Sequence, residues 1–209
     1  MGRWEPNARD RLAQAAMTLF QEHGYDRTTV EEIAARAGLT ERTFFRYFTD
    51  KKEVLFGGSD LLHERIVATI ADAPQGAAPL DTVAAALESL TPFFKDRRDY
   101  ARARQALLVA NAELRERELI KLASLASAAA GALRKRGVPE PTASLSAEAG
   151  IAVFKVAFER WLEDPRAQDL SRHIQLGLDE LRAVTAGTGP VAPAEPPKKA
   201  PRPTRARGA

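Results

Sequence analysis

Between residues 40 and 47 the chain crowds Thr40, Glu41, Arg42, Thr43, Arg46 and Tyr47 around two apolar anchors, Phe44 and Phe48. Such a segment suits one kind of chemistry. A guanidinium takes the O6/N7 edge of guanine in a bidentate grip, and a carboxylate accepts from the amino group of cytosine. Arg42 and Glu41 are the candidates for those contacts. The hydroxyls of Thr43 and Tyr47 bond phosphate, which fixes position without reading sequence. Arg46 shares this polar face, and Phe45 lies within it. A short helix with so narrow an apolar seam is what a major groove accepts. Lys51 and Lys52 follow at a further predicted helix start, where free backbone N–H groups favour an anion. Thr29, at the start of the preceding helix, joins the candidate DNA contacts.

These side chains need a frame. Leu12, Ala16, Leu19 and Phe20 recur at helical spacing and predict a first helix over 8–22. Gly24 suits the left-handed cap that ends it. Thr29 and Glu32 form a T-x-x-E capping box, which opens a second helix with Val30, Ile33, Ala34 and Ala37 on its buried face. Gly38 supplies the turn and Thr40 caps the third helix. Asp50 and Glu53 predict a fourth helix opening at Lys51, bent near Gly57 and Gly58. The proline-rich stretch 74–79 breaks the chain. Apolar periodicity resumes over 80–96, 98–111, 113–136, 143–163 and 168–185. Strand-like alternation is absent. The expected fold is all-α with about nine helices: a helix-turn-helix head over 1–52, a helical ligand-binding and dimerisation body over 53–185, and a tail over 186–209.

Composition narrows the function further. The chain has 209 residues, no cysteine and three scattered histidines, so neither a disulfide framework nor a metal site is expected. No catalytic pair or glycine-rich phosphate loop stands out, so the reading is not an enzyme and needs no cofactor. Apolar runs are too short to cross a bilayer and the N-terminus lacks a signal core, so the expected location is cytoplasmic, with no membrane partner. The net charge of +3 is deceptive. Residues 186–209 hold five basic groups and one acid, so the remainder is slightly acidic. Placement, rather than overall basicity, has to carry any DNA contact. The tail, rich in Pro, Lys and Arg, is too poor in large apolar groups to fold and is expected to be disordered. Its cations would add non-specific DNA affinity by counterion release.

The stretch from Arg9 to Phe56 resembles the N-terminal domain of the TetR family of bacterial transcriptional regulators. Leu12, Ala15–Ala16, Leu19–Phe20, Gly24–Tyr25, Thr28–Thr29–Val30, Ile33–Ala34, Ala37–Gly38, Thr43–Phe44, Tyr47–Phe48 and Lys51–Lys52–Glu53 carry the likeness. It implies a homodimer on an inverted-repeat operator in double-stranded DNA, one third helix per major-groove half-site, and a small-molecule effector bound in the body. Phe45 departs from the pattern, since many members have tyrosine there. Without a hydroxyl it can offer only apolar contact, to a thymine methyl or a sugar. Residues 101–137 resemble actinobacterial bodies of the mycofactocin-regulator type, which implies an acyl-CoA-like effector. A basic group at the pocket mouth, Arg102 or Arg104, would then meet phosphate.

In the body, Leu87, Leu90, Phe93, Phe94, Leu107, Leu108, Leu122, Leu125 and Phe154 are the candidate pocket lining, and they point to an apolar ligand. Ile151, Phe158 and Trp161, with Leu170, Ile174, Leu178 and Leu181, form two stripes suited either to an intersubunit four-helix bundle or to the chain's own core. The resemblance favours dimerisation. Together these features describe a sequence-specific repressor released by an apolar or acyl-CoA-like molecule. The alternative is a helical adaptor that keeps the head fold without specific DNA binding.

Overall fold

A computed structural model of the chain describes residues 8–166 and 169–188. Among these residues there are nine α-helices and no strand: α1 (Ala8–His23), α2 (Val30–Arg36), α3 (Glu41–Tyr47), α4 (Ser59–Ala71), α5 (Pro79–Glu88), α6 (Arg98–Ala110), α7 (Ala112–Lys135), α8 (Thr142–Glu163) and α9 (Leu170–Thr185). None is long and apolar enough to cross a membrane. The tail expected over 186–209 falls outside the described residues from 189 onward.

Two predicted helices are interrupted. The fourth was expected to open at Lys51. Instead Lys52–Phe56 forms a 3-10 turn, and α4 starts only at Ser59. Gly58 lies between them at φ +94°, a left-handed conformation that glycine alone adopts cheaply. The fifth was expected over 80–96. It ends at Glu88, and a separate 3-10 turn covers Thr91–Phe94. Pro92 has no N–H to give an α-helix and its ring crowds the preceding turn.

Two apolar cores result. The first packs Leu12, Ala16, Leu19 and Phe20 of α1 against Ile33, Phe44 and Phe48, and closes with Val54, Leu55 and Phe56 of the 3-10 turn. It thus runs past the boundary expected at residue 52. It also takes in Leu108 of α6 and Leu114 of α7. The second core lies in the body, where α8 packs on α5, α7 and α9, and α4 packs on α5 and α7. Close crossings there depend on missing side chains. A Cβ on Gly150 of α8 would lie 2.4 Å from Val83 Cγ1 of α5, and one on Gly177 of α9 would lie 3.0 Å from Val153 Cγ1.

Candidate nucleic-acid interface and effector cavity

The turn between α2 and α3 is fixed from three sides. Thr29 caps α2: its Oγ1 accepts from the Glu32 N–H at 3.2 Å, and its own N–H donates to Glu32 Oε2 at 2.8 Å. This capping box holds the Glu32 carboxyl below the usual carboxylate range, chiefly through the backbone hydrogen bond. Arg11 of α1 donates to the Ala37 carbonyl at the end of α2. Gly38 then turns at φ +65°, and a Cβ there would sit 2.9 Å from the Arg11 guanidinium. Thr40 caps α3 by accepting from the Thr43 N–H at 3.2 Å.

With Phe44 fully buried and Phe48 nearly so, α3 can show only its other side to solvent. Glu41, Arg42, Phe45 and Arg46 are exposed there, with Thr43 and Tyr47 half-buried at its edges. Arg46 donates to the Tyr47 hydroxyl at 3.1 Å and lies 4.9 Å over its ring, so the two form one rigid cationic unit. The Thr40 and Thr43 hydroxyls bond one another at 3.1 Å. The Phe45 ring stands edge-on to Phe44 at 5.5 Å.

Three of the residues expected to meet DNA are committed elsewhere. Lys51 Nζ donates to the carbonyls of Tyr25, Asp26 and Thr28 at 2.8, 3.1 and 3.0 Å and sits 4.5 Å over the Tyr25 ring. All three of its protons are thereby spent on the α1–α2 loop, which Lys51 clamps. Lys52 pairs with Glu113 of α7 at 2.8 Å and with Asp50 at 3.8 Å. The shared hydrogen bond raises Lys52 above its ordinary range and lowers Glu113 below its own. The Thr29 hydroxyl is occupied by the capping box. Burial pushes the neighbouring Tyr25 hydroxyl up to about 12, with Glu113, Asp50 and Asp26 adding to the effect.

Behind the head lies a cavity of about 810 Å³, within the size range of small-molecule sites. Of the expected lining, Phe93, Phe94, Leu108, Leu122, Leu125 and Phe154 do face it. Leu87 and Leu90 do not: both are buried in the body core against α8. Leu107 instead packs against the head core. Phe158, expected at a dimer contact, lines the cavity, where its ring lies 5.2 Å from Phe94 and 5.3 Å from Trp161.

The cavity is also more polar than the apolar periodicity suggested. Arg104 of α6 lines it with a side chain only 17% exposed. Arg104 pairs with Glu118 of α7 at 2.6 Å, donates from Nε to the Leu55 carbonyl at 2.7 Å, and lies 5.0 Å over the Phe56 ring. Lys121, also in the wall, reaches Glu53 at 3.7 Å, and Arg117 grips the same carboxylate at 2.6 Å. Tyr100, half-buried in the wall, has its hydroxyl pushed up by burial. Arg102, the other candidate cation, is not in the wall. With Arg98 it caps the C-terminus of α8, the two donating to the Leu162 carbonyl and Arg98 also to Trp161 at 2.6 Å. No sequence signal announced these contacts, because half of the partners are backbone carbonyls.

The stripes on α8 and α9 also read differently in the structure. Ile151, Trp161, Leu170, Ile174 and Leu178 are buried within the chain's own core, and Leu181 packs against it. In the same chain α8 packs on α5 and α7, and α9 packs on α5 and α8. The apolar groups left facing solvent are Leu145, Ala152 and Val156 on α8 and Leu176 and Val184 on α9, beside an Arg160–Glu180 ion pair at 2.7 Å that crosses between the helices.

A helix-turn-helix whose exposed helix carries arginines, set on a helical body with a ligand-sized cavity, defines a one-component DNA-binding regulator. Comparison with known proteins agrees. Residues 12–57 match the family described as bacterial regulatory proteins, tetR family, and residues 77–186 match the MftR C-terminal domain. The chain belongs to the TetR family of transcriptional regulators and is not an enzyme. It is 35% identical over 88 residues to the HTH-type transcriptional regulator TcmR of Streptomyces glaucescens, a match that covers 42% of this chain and 39% of that one. It is 23% identical over 167 residues to the proposed mycofactocin biosynthesis transcriptional regulator MftR of Mycobacterium tuberculosis, covering 78% of this chain and 84% of that one. Among solved structures, the fatty acid degradation regulator FadR from Bacillus halodurans has a TM-score of 0.60 at 18% identity, covering 86% and 96% of the two chains. SmeT in complex with triclosan has a TM-score of 0.58 at 22% identity, covering 94% and 100%. At these identities the structural likeness bears on the fold.

Proposed function

We propose that this regulator is a repressor that binds an inverted-repeat operator as a homodimer in the cytoplasm and leaves it when an apolar or acyl-CoA-like molecule fills the cavity. One observation carries this reading. Leu55, Phe56 and Leu108 belong to the head core and to the cavity wall at once. A molecule that enters the cavity therefore presses on the packing that sets the angle of α3. The Arg104 bond to the Leu55 carbonyl and the Lys121–Glu53 pair run along the same wall. They give the two sites a shared element whose arrangement each ligand can bias, as coupling between sites requires.

The body's likeness to the MftR C-terminal domain and the aromatic lining favour a long apolar effector, and the wall cations suit an anionic group on it. The dimer contact is assigned to the outward faces of α8 and α9, through Leu145, Ala152, Val156, Leu176 and Val184, in place of the buried stripes. The division into head, body and tail stays part of this reading.

The test is fluorescence anisotropy of the purified chain on the intergenic DNA beside its gene, with scrambled duplex as control, titrated with palmitoyl-CoA, palmitate and coenzyme A. Tight binding to the intergenic DNA, weakened by palmitoyl-CoA and untouched by coenzyme A, is expected. Equal binding to both duplexes favours the adaptor that keeps the head without reading sequence. Specific binding that no acyl compound alters removes the effector class and leaves the regulator.

A further inference from the structure

We infer that Tyr100 is the residue that recognises an acyl oxygen of the effector, its phenol hydroxyl donating to a carbonyl or carboxylate oxygen held in the cavity. The inference rests on the cavity being the effector site, and it adds which group of the effector is read and by which side chain. The wall is mostly apolar, so the few polar side chains free to bond a ligand decide what it accepts. Most of the half-buried ones are already engaged within the chain. Ser59 donates to the Phe56 carbonyl at 2.6 Å, and His63 Nε2 lies 3.1 Å from both the hydroxyl and the carbonyl of Ser124. Arg104 and Glu118 hold each other at 2.6 Å, and Lys121 reaches Glu53 at 3.7 Å. Tyr100 and Gln105 remain. Among the described residues neither side chain has a hydrogen-bond partner.

Tyr100 is the better placed of the two. Gln105 is long and flexible, and its amide would lose rotamer freedom on taking a ligand. The Tyr100 ring is packed against the head core, which fixes where its hydroxyl stands before any ligand arrives. That hydroxyl is not sealed off: among the described residues the fully buried side-chain polar atom without a partner is Arg98 Nε. It belongs to the face of α6 that lines the cavity, together with Ala101, Arg104 and Leu108. Burial holds the phenol above its ordinary value of 10.0, so it is protonated and able to donate at neutral pH. The Arg104 and Arg97 guanidiniums oppose that rise, which puts two positive charges within electrostatic reach of the hydroxyl. An oxygen carrying partial or full negative charge is stabilised there, whereas an ammonium is repelled. An acyl oxygen meets that description both in a thioester and in a free acid. Because the same ring rests on the head core, the ligand oxygen is gripped by a residue that head and cavity share.

The test is calorimetric titration of the full chain and of its Tyr100→Phe variant with palmitoyl-CoA, palmitate and S-hexadecyl-CoA, the thioether in which a methylene replaces the carbonyl. Tyr100→Phe keeps the ring and its packing and removes the hydroxyl alone. It should weaken palmitoyl-CoA about fivefold, the factor for one hydrogen bond between neutral groups, or palmitate about thirtyfold, the factor for one to a charged group. Whichever of the two the wild-type chain binds more tightly names the source of the oxygen. S-hexadecyl-CoA should bind both proteins alike. A variant that binds the acyl ligands as tightly as wild type overturns the inference and leaves the effector site standing. So does a variant that loses the thioether by the same factor as the acyl ligands, since the hydroxyl would then serve the fold rather than the ligand oxygen. A wild-type chain that takes up none of the three overturns the effector class together with the inference.

Discussion

Glu113 joins the body to the head through one hydrogen bond, and its titration gives that joint a pH dependence. The Lys52 ammonium holds its carboxyl below the ordinary value of 4.5, so its contribution is present above that value and fades as pH falls through the lowered one. Lys52 is raised above its ordinary 10.5, so its own contribution persists below that value and is lost only as pH rises past the raised one. The joint therefore holds across the neutral range and weakens first on the acid side. Glu113→Gln should lower the urea midpoint at neutral pH and flatten its decline on acidification, with the two proteins converging once the pH has fallen below the lowered Glu113 value. Parallel curves for the two proteins would sink this assignment. At this scale the sequence was informative where side chains are exposed by default: the placing of Arg42, Arg46 and Phe45 follows from two buried phenylalanines four residues apart. It was silent on Lys51, because that ammonium bonds carbonyls 23 to 26 residues away, and backbone acceptors leave no trace in residue type.

Among the elements, the helices themselves were legible because each carries a 3.6-residue stripe, and α2, α3 and α9 add a side-chain cap. The partners of the stripes were not. A regular apolar spacing on α8 and α9 says that the face is buried, but an intrachain neighbour and a second copy bury it equally well. What assigns it is Gly150, a residue with no side chain to appear in any pattern. Its bare backbone lets α8 sit against Val83 and Leu87 of α5, both buried in the body core. Gly150→Ala would force a methyl group into space that Val83 already fills, and a β-branched side chain in a packed core has no easy alternative rotamer. The expected cost is about 1–3 kcal/mol, read as a lower urea midpoint with an unchanged slope. A midpoint equal to or above wild type would show that α5 and α8 can slide apart freely. The breaks at Gly58 and Pro92 belong here too. Gly58 was expected only to bend its helix and Pro92 fell inside an expected one, since whether such a residue bends a helix or divides it depends on the packing around it.

For the whole molecule, we propose that the outward faces of α8 and α9 decide the assembly. Placing Glu at both Leu145 and Val156 should convert a dimer to a monomer in sedimentation equilibrium, since like charges would face each other across a two-fold contact. Operator binding should weaken in step, because each half-site would then be held alone. A double variant that stays dimeric would move the contact elsewhere. The core shared by Leu55, Phe56, Leu108 and Leu114 also bears on how the molecule can be taken apart. A fragment cut after Gly57 would leave that side of its core facing water, so it should not fold as an independent unit. For the same reason, a chimera that joins this DNA-reading end to a relative's body must carry the matching stretch of α6 and α7 with it. The portable piece of this protein is discontinuous in the chain: two segments separated by α4 and α5, inherited together or not at all.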